Sequence, residues 1–155
     1  MLALAGIFPA LTTPFAGDGG VSLEDVKRNI RRYNETELAG YVVLGSTGES
    51  VLLQSSEMDA VLGAVKETAA AGKILIAGTG AESTAETIAR TKRAAALGFH
   101  VALVKTPYYY KPAYKPDVLI AHYRRVAEAS PIPIFIYSVP IFKGLGPESP
   151  ETIKL

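Results

Sequence analysis

Tyr137 ends an apolar run that has the character of a buried strand. The run 132–137 is rich in β-branched and aromatic residues, and Pro140 breaks the pattern shortly afterwards. A parallel strand buried on both faces is a near-continuous apolar run, and in α/β sheets and barrels the chemistry lies at the C-terminal ends of the strands. A phenol at such a position can donate or accept a proton when its neighbours favour the transfer. The sequence therefore predicts that Tyr137 is a catalytic group.

A turn of small residues is the second candidate site. The turn 45–50 has the sequence GSTGES and directly follows an apolar run at 41–44. Its backbone N–H groups can approach a ligand closely, and the hydroxyls of Ser46 and Thr47 add donors, so the turn can hold a carboxylate or a phosphate. It is not a P-loop, because the lysine that follows the second glycine of that motif is missing and Glu49 stands in its place. A plain βα turn with Glu49 at a helix start is an equally good interpretation.

For several other polar residues near strand ends, a structural role is favoured over a catalytic one. The turn 78–83 is similar to a dinucleotide fingerprint but has Ser83 in place of the third glycine, which favours a structural turn. Lys105 is a nominal Schiff-base candidate, although a lysine that reaches solvent at a strand end is ordinary. His100 and His122 are interpreted as structural. For each tyrosine of the following loop the packing interpretation is favoured; these are Tyr108, Tyr109, Tyr110 and Tyr114.

Short apolar runs alternate with longer segments of helical periodicity. Strand starts recur about every 30 residues, which is the length of one βα unit, so successive strands are expected to be parallel. This order indicates an α/β domain, either an open doubly wound sheet or a (β/α)8 barrel, and periodicity does not choose between them. Five strands are predicted at 7–13, 41–44, 73–77, 100–104 and 132–137. Four helices are predicted after Ser22, after Ser56, at 84–97 and after Pro116, and Ser149 with Pro150 has the pattern of a further helix start.

Composition restricts the class of partner. The formal net charge is +1 and no basic block is present, so neither nucleic acid nor an anionic membrane surface is an expected partner. The chain has no cysteine and only two histidines, so no metal or cofactor held by such ligands is expected. No apolar stretch reaches the roughly 18 residues of a spanning helix, and the start lacks the basic region of a signal peptide. A cytoplasmic location is the default expectation.

Five motifs follow one another along most of the chain. They are GIFPALTTPF at 6–15, GSTGES at 45–50, AGTGA at 77–81, TPYY at 106–109 and YSVP at 137–140. In this order they resemble one enzyme family, the pyruvate-dependent Schiff-base aldolases typified by dihydrodipicolinate synthase and N-acetylneuraminate lyase. The resemblance is specific because all five motifs keep their order.

The resemblance implies a fold, a reaction and roles for named residues. The fold is a (β/α)8 TIM barrel, usually assembled as a dimer of dimers, in which pyruvate condenses with a lysine amine and the enamine attacks, or is released from, an aldehyde. Tyr137 corresponds to the proton donor and acceptor, Thr47 to the group that binds the pyruvate carboxylate, and Ser46 to the proton relay. Gly48 belongs to the same carboxylate-binding turn. Tyr109 corresponds to the tyrosine that family members insert into a neighbouring subunit's site.

Two departures from the family pattern shape the expectation. The Schiff-base lysine of the family lies on the sixth strand, and the 155 residues contain no such residue, so the chain alone is expected to be inactive. Phe142 stands where synthases that use aspartate semialdehyde have an arginine, and with Ser138 it favours 4-hydroxy-2-oxoglutarate aldolase-like members. Residues 1–155 are therefore expected to form the N-terminal part of one TIM-barrel domain, with about five strands and four helices.

Two further hypotheses remain beside the aldolase. One is a non-catalytic half-barrel that oligomerises or binds a small keto acid. The other is an open α/β nucleotide-binding domain, which requires a complete glycine-rich fingerprint and an acidic ribose partner that the sequence does not contain. An incomplete barrel leaves a strand edge unpaired and one apolar flank open, so we expect an exposed apolar surface.

Overall fold

Helices and parallel strands alternate along the chain. The structure is a computed structural model that describes residues 4–139. Its four strands form one sheet in the order β1-β2-β3-β4, and all neighbours are parallel. The elements are α1 (Leu23–Asn34), β1 (Gly40–Val43), α2 (Ser55–Thr68), β2 (Ile74–Gly78), α3 (Thr84–Ala96), β3 (Val101–Lys105), α4 (Pro116–Ala129) and β4 (Ile134–Tyr137), with short 3-10 helices at Ser50–Leu52 and Lys111–Ala113.

Local signals explain where the helices begin. Ser83 caps α3, because its Oγ accepts the N–H of Glu86 at 3.1 Å. The prediction that α2 follows Ser56 is wrong at its boundary, because the N-cap is Gln54. The backbone N–H of Gln54 donates to Glu57 Oε2 at 2.8 Å, as in a capping box, and this pairing fixes the earlier start. The other three helices begin within one residue of the predicted positions.

The predicted strand at 7–13 is not a strand of the sheet. This segment runs beside β1 and forms only an isolated parallel bridge between Ala10 and Val42. Leu11 N–H donates to Val42 O, and Val42 N–H donates to Pro9 O, each at 2.9 Å. Proline has no N–H to give to a ladder, so Pro9 and Pro14 prevent regular pairing along the segment. The five predicted strands are therefore four strands and one bridged extended segment.

The two faces of the sheet are covered unequally. Residues in register on parallel strands point to the same face, and successive residues alternate. The outer face packs on the helices; Ala102 and Val104, for example, are fully buried and cluster with Tyr123 of α4. On the inner face, Leu103 lies in register with Phe135, whose exposed fraction is 38%. The hydrophobic core thus lies between sheet and helices, and within residues 4–139 the inner face is only partly covered.

Both histidines make structural contacts. His100 Nδ1 accepts the backbone N–H of Leu75 at 2.9 Å. His122 Nδ1 shares a hydrogen bond with Thr84 Oγ1 at 2.9 Å. Burial lowers the pKa of each imidazole, so both are neutral near pH 7. Among the helices in the described part of the chain, none is long and apolar enough to cross a membrane.

Candidate functional site

The turn after β1 has an unusual backbone. Leu44, just before the turn 45–50, and Glu49, within it, have φ angles of 61° and 53°, in the left-handed region that side chains other than glycine rarely adopt. Inside the turn, Gly48 N–H donates to Gly45 O at 3.1 Å, and Glu49 N–H donates to Ser46 O at 3.0 Å. Strained backbone of this kind persists where the surrounding structure enforces it, and it clusters at functional sites. The backbone of the turn 45–50 is therefore more constrained than that of a plain βα connection.

The N-terminal segment, through Leu11 and Thr13, packs against the turn at Gly48. Thr13 Oγ1 donates to Gly48 O at 2.6 Å in a buried hydrogen bond. A Cβ on Gly48 would lie 3.0 Å from Leu11 O, so only glycine fits against this segment without a shift. The N–H of Gly48 already donates within the turn, so in this structure it is not available to a ligand. The side chains of Ser46 and Thr47 lie on the exposed side.

Ser46 and Tyr137 come together although 91 positions separate them in the sequence. Ser46 follows β1 and Tyr137 ends β4, and both side chains line one small cleft at the carboxyl end of the sheet. Residues from β2 and β3 close the cleft between them. Its lining consists of Leu44, Gly45, Ser46, Ser50, Gly78, Gly80, Leu103, Lys105 and Tyr137.

Lys105 is the lining residue that the sequence interpretation undervalued. The last residue of β3, it lies in register with Tyr137, so the two side chains share the inner face. Its Nζ lies 5.1 Å from the centre of the Tyr108 ring, within the range of a cation–π contact. Burial lowers the pKa of Lys105, and the charge of Glu82 opposes that effect. Lys105 directly follows the predicted strand 100–104 and lies two positions after Leu103. That spacing, which puts both residues on one face if the strand extends by one residue, was the available signal.

Thr47 and Tyr109 lie outside this cleft. Tyr109 is 72% exposed, and its ring packs edge-on against Tyr110 with centroids 4.8 Å apart. Neither Thr47 nor Tyr109 lines the cleft that contains Ser46 and Tyr137. Among residues 4–139 there is also no group of three or more acidic or histidine side chains that could hold a metal ion.

Glu82 anchors the loop after β3, residues 106–115, which carries four tyrosines and is called the tyrosine loop here. Its carboxylate accepts the backbone N–H groups of Tyr108, at 3.2 Å, and Tyr109, at 3.0 Å. Tyr114 OH donates to the same carboxylate at 3.1 Å. Burial and this hydrogen bond to Glu82 both raise the pKa of Tyr114, so its phenol stays protonated near neutral pH. One side chain after β2 therefore fixes the course of the loop after β3.

We expect Glu82→Ala to loosen the tyrosine loop without unfolding the domain. Losing the two backbone contacts removes about 1 kcal/mol of local stability, so the amides of Tyr108 and Tyr109 should exchange with solvent about fivefold faster. Hydrogen exchange followed by NMR measures this. Glu128→Ala, at an exposed site on α4, is the control and should leave both rates unchanged. Unchanged rates in Glu82→Ala would show that the carboxylate does not hold the loop.

Parallel strands with helices on one face and polar side chains at their carboxyl ends define a partial (β/α)8 barrel, the class that contains many lyases and synthases. The chain belongs to the Dihydrodipicolinate synthetase family, whose profile matches residues 3–154. The barrel prediction and the family resemblance are thereby confirmed, and the open doubly wound sheet is set aside.

Three relatives illustrate the similarity. The 4-hydroxy-tetrahydrodipicolinate synthase of Stenotrophomonas maltophilia (strain K279a) is 41% identical over 152 residues, which are 98% of this chain and 50% of that protein. The dihydrodipicolinate synthase of Acinetobacter baumannii, solved with pyruvate, superposes with a TM-score of 0.84 at 37% identity, covering 89% of this chain and 47% of that one. The N-acetylneuraminate lyase of Mycoplasma synoviae gives 0.80 at 33% identity, covering 87% and 46%. The chain therefore spans about half the length of these relatives.

Proposed function

We propose that the protein to which this chain belongs is a pyruvate-dependent aldolase or condensing synthase that works through a lysine Schiff base. The observation that carries this proposal is that Tyr137 and Ser46 both line one cleft at the carboxyl end of the sheet. The name of the Acinetobacter structure, a synthase in complex with pyruvate, supports pyruvate as the donor substrate.

The two hydroxyls suit the proton transfers of imine chemistry. When an amine adds to the pyruvate carbonyl, the carbonyl oxygen must gain two protons before it leaves as water. A phenol linked to a second hydroxyl can deliver and recover those protons without burying a permanent charge. We assign Tyr137 as the proton donor and acceptor and Ser46 as the relay to it. The reaction then breaks or forms the carbon–carbon bond of the enamine with an aldehyde.

The other two residues of the turn have different roles: one binds the substrate and the other allows the turn to pack. We assign the pyruvate carboxylate to the hydroxyl and backbone of Thr47, which is exposed at the mouth of the turn. Gly48 contributes by letting the turn pack on the N-terminal segment, since its own N–H is used inside the turn. The lysine nucleophile is assigned to a sixth strand, beyond residue 155.

Tyr109 suits a role between subunits. It is 72% exposed and stands beside Tyr110, which is 67% exposed, and aromatic residues are enriched at protein interfaces. We propose that Tyr109 enters the site of a neighbouring copy and that the complete enzyme is a dimer of dimers. For the substrate we favour an oxo acid of the 4-hydroxy-2-oxoglutarate class. The basis of that preference at Phe142 lies outside the described residues.

Reductive trapping tests the proposed function. The complete enzyme, incubated with pyruvate and borohydride, should gain one reduced pyruvyl group per chain, measured by mass spectrometry, and the label should map beyond residue 155. Borohydride without pyruvate is the control. The segment 1–155 alone should keep its mass. An unlabelled complete enzyme would contradict the proposed function, and a label on Lys105 would place the nucleophile within this chain.

A further inference from the structure

We infer that Lys105 binds a second carboxylate of the substrate, so that the enzyme selects oxo acids with two acidic groups over those with one. The inference rests on the proposed function and names a residue that would recognise the second acidic group of its substrate class. It starts from Lys105, which belongs to the lining of the cleft that holds Ser46 and Tyr137.

The sheet geometry directs Lys105 into the site. Lys105 and Tyr137 are register partners at the ends of β3 and β4, so their side chains leave the same face of the sheet. Gly80, after β2, lies beside Lys105, and a Cβ on Gly80 would lie 2.6 Å from Lys105 Cγ. The absence of a side chain at Gly80 is thus what gives the lysine stem its place along the inner face.

Within residues 4–139, the ammonium group of Lys105 makes no ion pair. No carboxylate of the described residues 4–139 lies within ion-pair distance of its Nζ. Glu82 acts on it electrostatically, but the Glu82 carboxylate already accepts from the N–H groups of Tyr108 and Tyr109 and from Tyr114 OH. The contact with the Tyr108 ring steadies the ammonium group without neutralising it.

An unneutralised and partly buried ammonium is costly unless an anion joins it. Removing water from a charge is unfavourable, and burial lowers the pKa of Lys105 for this reason. A carboxylate brought into the cleft would restore the lost interactions through a charge-assisted hydrogen bond. The carboxylate next to the keto group is already assigned to Thr47. Lys105 therefore suits the acidic group at the other end of the substrate.

Two probes of equal chain length separate the two substrate classes. 2-Oxoglutarate has a second carboxylate, and 2-oxopentanoate has a methyl group in its place. We expect the complete enzyme to bind 2-oxoglutarate about tenfold more tightly, as measured by calorimetry. Lys105→Met should reduce the ratio of the two Kd values to within twofold, and Lys105→Arg should preserve it. Lys111→Met, at an exposed position in the short 3-10 helix after β3, is the matched control and should keep the wild-type ratio of Kd values.

Each outcome decides the inference. Equal affinity for the two probes in the wild type, or a preference that survives in Lys105→Met, overturns it, as does binding of neither probe. A melting temperature within a few degrees of the wild-type value shows that Lys105→Met is folded. The proposed function is tested separately: pyruvate labelling without a dicarboxylate preference rejects the inference alone. A preference that depends on Lys105 without any pyruvate labelling rejects the Schiff-base function alone.

Discussion

Tyr137→Phe is expected to lower the kcat of the complete enzyme by about 10²-fold or more. The substitution removes one oxygen and keeps the ring that lines the cleft with Ser46. Because the phenol is assigned to proton delivery and recovery, its loss should slow both formation of the imine and its hydrolysis. Binding of the oxo acid depends on other groups, so its Kd should change little.

The measurement compares steady-state turnover with the rate of pyruvate trapping by borohydride. Both rates should fall in Tyr137→Phe, because both depend on the same proton transfers. Tyr33→Phe, in the helix α1 and outside the cleft, serves as the control and should keep the wild-type kcat. Wild-type turnover in Tyr137→Phe would remove this residue from the mechanism.

Gly78→Ala is expected to destabilise the domain by about 3 kcal/mol. A Cβ at this position would overlap the backbone oxygen of Leu44, and backbone cannot move aside as a flexible side chain can. The ends of β1 and β2 would have to separate, which would disturb the register pair Val43 and Ala77 and the turn that carries Ser46. Chemical denaturation followed by circular dichroism gives the free energy of unfolding.

A second glycine provides a matched control. Gly63 lies inside the helix α2, and a Cβ there would meet no atom within 4 Å. Gly63→Ala should therefore raise the free energy of unfolding by about 0.5–1 kcal/mol, because alanine favours the helix and glycine does not. The same chemical change is thus expected to have opposite signs at two positions. A neutral Gly78→Ala would show that the strands can separate at little cost.

The helices were the most predictable part of the fold. Apolar residues at helical spacing, together with Ser22 and Pro116 near the starts, predicted three of the four helix beginnings to within one residue. The segment 7–13 was mispredicted as a strand because its composition is that of a strand while its prolines cannot donate to a ladder. Amino-acid composition indicates whether a segment is buried, whereas pairing into a sheet depends on which residues have a backbone N–H to donate.

The site was predictable where it depended on strand ends. Ser46 and Tyr137 follow or end apolar runs, so the general rule for parallel sheets placed both at the same edge. The left-handed backbone of Leu44 was not predictable, since leucine has no preference for that region and the surrounding contacts impose it. The pairing of Lys105 with Tyr137 in the sheet was also not predictable, because the register is a property of the assembled strands.

The unequal covering of the sheet has a consequence for biosynthesis. The layer between the sheet and the helices includes fully buried residues such as Val65 and Val101, all within the first 139 positions. A growing polypeptide can therefore condense this layer while the ribosome is still translating whatever follows. The inner face, with Leu103 and the partly exposed Phe135, would then stay open to water beside this folded layer.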